Sequence, residues 1–190
     1  MAIFEKICSR IREIIDYKIH KISILRFIKY FGLINGTKYY FLKRHPGIYL
    51  NKEIIFLTPP QAKYPLKVRN QTTDVPLFEH TFLAKDYEFP VNIKPRLIID
   101  GGANVGYSAI FFSLKFSEAE IIAVEPEEAN IKMLKENISS YPHIKYMECG
   151  LWNNNKWPRI KDIGLGEWGF MVEENDARDP EVPLMLSHNL

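Results

Sequence analysis

From Ile3 to about Phe31 the apolar residues Ile3, Ile7, Ile11, Ile14, Ile15, Ile19, Ile22, Leu25 and Ile28 recur at steps of three and four. That is the helical period, so the spacing predicts one long or two shorter amphipathic helices. Gly32, Asn35 and Gly36 punctuate their end. Glu53 to Leu57 and Lys63 to Arg69 then have the composition of two short strands. Between them Thr58, Pro59, Pro60, Gln61 and Ala62 suit the turn of an antiparallel hairpin. Asp74, Pro76 and Glu79 open a helix expected over Leu77 to about Lys85.

At Pro95 the pattern changes. Arg96 to Asp100 is a short apolar strand ending in an acid, and Val105 to Phe116 has the apolar content of a buried helix. Ile121 to Val124 is a second strand, Glu127 to Ile138 a second helix, and Ile144 to Cys149 a third strand. Strands and helices alternating over short connections predict a parallel sheet with crossover helices. Farther on, Arg159 to Ile163 and Trp168 to Glu173 read as strands joined by a turn at Gly164 and Gly166. The expected organisation is a helical and hairpin cap over residues 1–94, an α/β unit over 95–175, and a disordered tail over 176–190, where Asp176, Arg178, Asp179, Pro180, Glu181 and Pro183 show no periodicity.

Composition narrows the classes. With 190 residues, 46% hydrophobic and 25% charged, the chain fits one soluble domain with appendages. A formal net charge of +2 gives no reason to expect nucleic acid as a partner. Cys8 and Cys149 form neither a disulfide framework nor a metal-ligand spacing, so no metal is expected and a reducing cytoplasm suits them. No apolar run reaches the length of a membrane span, and the N-terminus lacks the h-region of a signal peptide. Within residues 1–30, Lys6, Arg10, Arg12, Lys18, Lys21, Arg26 and Lys29 would allow contact with an anionic membrane surface. Because Glu5, Glu13 and Asp16 dilute that face, packing on the domain is the preferred reading.

Candidate chemistry lies in LIIDGGANVGYSAIFF, Leu97 to Phe112. An acid, Asp100, closes the first strand, and Gly101, Gly102, Ala103, Asn104 and Gly106 lead into a helix. Gly102 and Gly106 permit a tight turn and close approach of a ligand, while the helix start near Val105 offers N–H groups to an anion. A carboxylate at this strand tip repels a diphosphate by a few kcal/mol at intermediate dielectric but attracts the sulfonium and ammonium of S-adenosylmethionine. The dinucleotide pattern Gly-x-Gly-x-x-Gly also fails, since Ala103 or Asn104 falls where its second glycine belongs. In IIAVEPEEAN, Glu125 closes the second strand, where a carboxylate can accept both ribose hydroxyls; Pro126 then starts the next helix region. Gly150, Leu151 and Trp152 end the third strand, with Leu151 expected to border the adenine by analogy of position.

IIDGGANVGYSAIFF followed by IIAVEPEEANIKMLKENI resembles the FkbM family of methyltransferases, whose first motif is an Asp-x-Gly-Ala-Asn-x-Gly-Tyr string. VRNQTTDVPLFEHTFLAKDYEF, Val68 to Phe89, resembles the segment preceding that motif, and the resemblance runs to about Glu173. It implies that Asp100, Gly102, Ala103, Asn104 and Gly106 line the methionyl part of the cofactor and that Glu125 holds the ribose. One departure stands out: the fourth strand of that family, with its Ile-Asp-x-Glu-Gly type motif, has no counterpart before Leu190. The chain is therefore expected to be a fragment or a degenerate member, with an incomplete parallel sheet whose first strand keeps an open edge that invites oligomers.

His20, His45, His80, His143 and His188 stand singly, and none is assigned a catalytic role. Trp152, Trp157 and Trp168 are expected to pack core, and Lys43 and Arg44 beside Tyr39, Tyr40 and Phe41 to be solvated or to pack the cap. The expected fold is thus a Rossmann-like class I methyltransferase domain. The expected function is O-methylation of a hydroxyl on a sugar or natural product, the acceptor being a small molecule or glycan. The alternative is an inactive cofactor-binding fragment or scaffold, and the catalytic base is unknown.

Overall fold

The computed structural model describes residues 24–49, 51–84, 86–152, 158–162, 170–174 and 184–186. Helix α1, Ile24–Arg44, breaks at Gly32, whose φ of 78° and ψ of 169° leave the helical region. The glycines read as a helix end thus mark a bend, and the helix resumes to Arg44. Gly36 explains the resumption: a Cβ there would stand 2.4 Å from the Phe27 carbonyl group and the Ile28 nitrogen, so the second arm folds back onto the first. Phe27 and Tyr39 meet edge to face across that contact at 4.9 Å. Tyr39 is fully buried and Lys43 pairs with Glu79, which gives this stretch the cap-packing role expected of it.

After a 3₁₀ turn, Pro46–Tyr49, strands β1 (Ile54–Leu57) and β2 (Leu66–Arg69) pair antiparallel, with Ile54 opposite Arg69 and Leu57 opposite Leu66. Both are shorter than the runs read from sequence. Ile55, Leu57, Leu66 and Val68 form the buried face, as the period of two requires. Helix α2, Asp74–Glu79, begins three residues before the expected Leu77, with Thr73 at its N-cap and the Asp74 N–H donating to the Thr72 hydroxyl at 3.1 Å just ahead of it. Pro76 falls in the first turn, where its missing N–H costs nothing. A π-helical turn, His80–Ala84, continues it.

The α/β unit follows the predicted order: β3 (Leu97–Gly101), α3 (Tyr107–Lys115), β4 (Glu120–Val124), α4 (Glu128–Ile138) and β5 (Ile144–Met147). The three strands are parallel in the order β3-β4-β5, a small sheet of Rossmann type with β4 central. Among the described residues β3 pairs with β4 alone, and Leu97 is 49% exposed. Pro126 lies just before α4 and does not start it. Glu127 is the cap, its carboxylate accepting the N–H groups of Ala129 at 3.1 Å and Asn130 at 2.7 Å.

Beyond β5 the strand read as running to Cys149 stops at Met147, and β6 (Gly150–Trp152) begins a separate pairing. Strands β7 (Pro158–Asp162) and β8 (Phe170–Glu174) pair antiparallel as anticipated, while Gly164 and Gly166 lie outside the described residues. The reading of 176–190 as a disordered tail is corrected at Leu184–Leu186, strand β9, which pairs parallel with β6. Three consecutive apolar residues are too short a run to show a period, so only a partner strand reveals them.

One apolar cluster runs from Phe27 and Tyr39 through Leu66, Phe78 and Tyr107 to Ile121 and Ile144, so cap and sheet share a core. Lys67 of β2 joins them through its backbone. Its N–H donates to Asn137 Oδ1 at 2.7 Å, and its carbonyl accepts the Tyr107 hydroxyl at 2.7 Å. Asn137 also donates to the Val105 carbonyl at 2.9 Å, so its side chain bridges the hairpin and the glycine turn.

Candidate cofactor site

The parallel register sets Asp100 opposite Ala123 and Gly101 opposite Val124, so Glu125, one residue farther, emerges at the same edge as the glycine turn. This is the carboxyl end of the strands, where sheets of this kind bind ligands. The turn is hung on β4, because the N–H groups of Gly102 and Ala103 both donate to the Val124 carbonyl at 2.9 Å. Gly102, Asn104 and Gly106 all have positive φ, at 79°, 49° and 89°.

The structure sorts the sequence candidates into a rim and a support. Gly101 and Gly102 are exposed, and Asn104, Pro126 and Leu151 are half-buried. No atom stands within 4 Å of where a Gly102 Cβ would lie, so backbone approach from outside is open there. Gly101 is fitted differently: a Cβ would meet Leu151 Cδ1 at 2.6 Å, and its absence seats Leu151 against the end of β3. Ala103, Gly106 and Glu125 lie beneath. At Gly106 a Cβ would press on Leu134 Cδ1 at 2.7 Å and Ile138 Cγ2 at 3.2 Å, so this glycine serves the packing of α4 and not ligand approach.

Asp100 takes a role the sequence reading gave to a ligand. Its Oδ2 accepts the Ser108 hydroxyl at 2.7 Å, and the Ala109 N–H also bonds the carboxylate. The start of α3, expected near Val105 and free to receive an anion, begins at Tyr107 after a left-handed Gly106, and Asp100 lies against its first turn through Ser108. Burial pushes the Asp100 carboxyl above its ordinary pKa, against the opposing effect of the Ser108 and Ala109 bonds. Burial, and after it the Asp100 charge, raises the Tyr87 phenol, while Ser108 opposes the rise. Ser108 and Tyr87 were missed from sequence. Ser108 alone carried a signal, as a hydroxyl in the first turn of the helix after the motif.

Glu125 is 5% exposed. Its Oε2 accepts the Asn104 N–H at 2.9 Å and its Oε1 the Glu127 N–H at 3.1 Å, with the Asn130 amide at 3.5 Å. Burial raises its carboxyl, and these three donors oppose the rise. Asn130 in turn accepts from Arg69 Nη2 at 2.8 Å, and the same Arg69 nitrogen bonds Asp74 Oδ1 at 2.7 Å. A polar line thus runs from the fully buried Asp74 of the cap to the rim of the sheet. Among the described residues no group of His, Cys, Asp and Glu is placed to hold a metal ion.

No family model matches the chain, and no curated protein matches it. Among solved structures, a crystal structure of methyltransferase FkbM from Methylobacillus flagellatus is similar at 16% identity and a TM-score of 0.28. The likeness covers 36% of this chain and 20% of that one, and at those values it carries no argument about function.

Proposed function

We propose that the chain binds S-adenosylmethionine at the β3–β4 edge and serves methyl transfer to a hydroxyl of a small-molecule or glycan acceptor. The observation that carries this reading is the pairing of two acids, Asp100 and Glu125, on either side of a positive-φ Gly102 with empty space above it. The donor set fits the cofactor: Asp100 and Glu125 each keep acceptor capacity beyond the bonds described, and the N–H groups from Gly102 to Gly106 that a diphosphate would need are already engaged by acceptors of the chain.

When bound, S-adenosylmethionine supplies a methyl group on a sulfonium. Asp100, fixed by Ser108 and Ala109, places negative charge where the cationic amino-acid part would lie. Glu125 holds the turn through Asn104 and offers its remaining lone pairs to ribose hydroxyls, while Leu151 beside Gly101 supplies an apolar border. The fragment of family sequence quoted above supports the same assignment through the Asp100 to Tyr107 motif.

Calorimetric titration with S-adenosylmethionine, its demethylated product and NAD tests the reading. Tighter binding of the first two is expected, and equal or tighter binding of NAD would overturn it. A radiolabelled methyl-transfer assay on sugar and natural-product acceptors then separates an enzyme from a binding-only scaffold.

A further inference from the structure

We propose that helix α1 docks on an anionic lipid surface, with its bend as the apolar tip. The helical stripe that continues through Leu25 and Ile28 does not enter the core at Leu25, which is 71% exposed. The core face of α1 carries Phe27, Phe31, Tyr39 and Leu42 instead. Where the helix breaks, the chain presents Leu33 and Ile34 at 70% and 69% exposure. Arg26 and Lys29 are exposed on the arm before the break and Lys38 on the arm after it. Apolar side chains at a tip with long cations behind it are the arrangement of an interfacial element, the aliphatic stems lying along the acyl boundary and the charges among phosphates.

Charge selects the partner. Helix α1 holds Arg26, Lys29, Lys38, Lys43 and Arg44 and no Asp or Glu, so it is strongly basic while the remainder of the chain is net acidic. An anionic surface attracts the one and repels the other, which orients the molecule with α1 toward the headgroups. The exposed leucine and isoleucine favour a bilayer over nucleic acid, whose phosphate backbone gives aliphatic groups nothing to bury against. Among the described residues no helix is long and apolar enough to cross a membrane, so the contact proposed is with the surface.

Flotation of the full chain with vesicles of phosphatidylglycerol and phosphatidylcholine in equal parts, beside vesicles of phosphatidylcholine alone, tests the proposal. Co-flotation is expected with the anionic vesicles only and is released by salt. The paired substitution Leu33→Asp and Ile34→Asp should weaken it at least about tenfold, since two aliphatic side chains no longer leave water. Both positions are exposed, so the melting temperature should hold; Arg26→Glu with Lys29→Glu gives the same readout through charge should the first variant misfold. No flotation with anionic vesicles at low salt overturns the proposal, as does binding indifferent to lipid charge or unchanged in both variants. A soluble dimer that the tip variant converts to monomer, with no vesicle binding by the unsubstituted chain, assigns the face to a second copy and overturns it too.

Discussion

Glu125 grips the glycine turn of the preceding strand: its Oε2 accepts the backbone N–H of Asn104 at 2.9 Å, although Asn104 stands at a positive φ of 49°. An acid read as a ribose ligand is therefore also a structural staple across the mouth of the site. Replacing Glu125 by Ala leaves the Asn104 and Glu127 N–H groups without their acceptor and should cost about 1 to 3 kcal/mol of stability. Glu125→Gln retains a carbonyl oxygen and should cost less. Urea denaturation of the two variants checks the order, and calorimetry should show weaker S-adenosylmethionine binding in both.

The ion pair between Arg69 and Asp74 is the buried end of the same network. Asp74 is fully buried, so Arg69→Ala would leave a carboxylate without its charge partner and should destabilise the fold by about 3 to 5 kcal/mol. Arg69→Lys cannot reproduce the fork that bonds Asp74 and Asn130 together, and should recover only part of the loss. Denaturant midpoints measured side by side decide this; equal stability of Arg69→Ala and the unsubstituted chain would show that Asp74 is satisfied elsewhere.

Two glycines of one turn should respond differently to a methyl group. Gly106→Ala meets both a left-handed backbone and the Leu134 side chain, so a loss of about 2 to 4 kcal/mol is expected. Gly102→Ala meets the backbone strain alone and should cost about 1 to 2 kcal/mol. Its larger effect should be on cofactor affinity, because the methyl group enters the open space above the turn. Thermal melts and titrations of both variants separate packing from access.

Asp100 and Glu125 are both raised by burial, so each binds its proton more tightly folded than unfolded. Their contribution to stability is therefore fully present below the ordinary carboxylate range and is lost as pH rises through the raised folded values. In its ionised form each of these carboxylates is disfavoured by burial. Asp100→Asn should accordingly be more stable than the unsubstituted chain at neutral pH, and the difference should shrink as acid protonates Asp100. Melting temperatures of the pair across that range check the sign, and weaker cofactor binding by Asp100→Asn would show that the strained charge serves the ligand.

The sequence by itself determined the alternation of strand and helix from Arg96 to Met147 and the placing of two acids at strand ends, because period and punctuation are local properties of the chain. It also determined where the glycines fall. What each glycine does was decided only in three dimensions: Gly36 admits the Phe27 backbone, Gly101 admits Leu151, Gly106 admits Leu134, and Gly102 admits nothing. The partners of Asp100 and Glu125 were settled in the same way, since Ser108 and Asn104 reach them by the folding of a turn and not by any spacing a linear pattern displays. The Arg69 network lay beyond the sequence reading for a related reason. Its members sit 5 and 61 positions apart, and their union depends on β2 lying along α4, a contact made by the shared core.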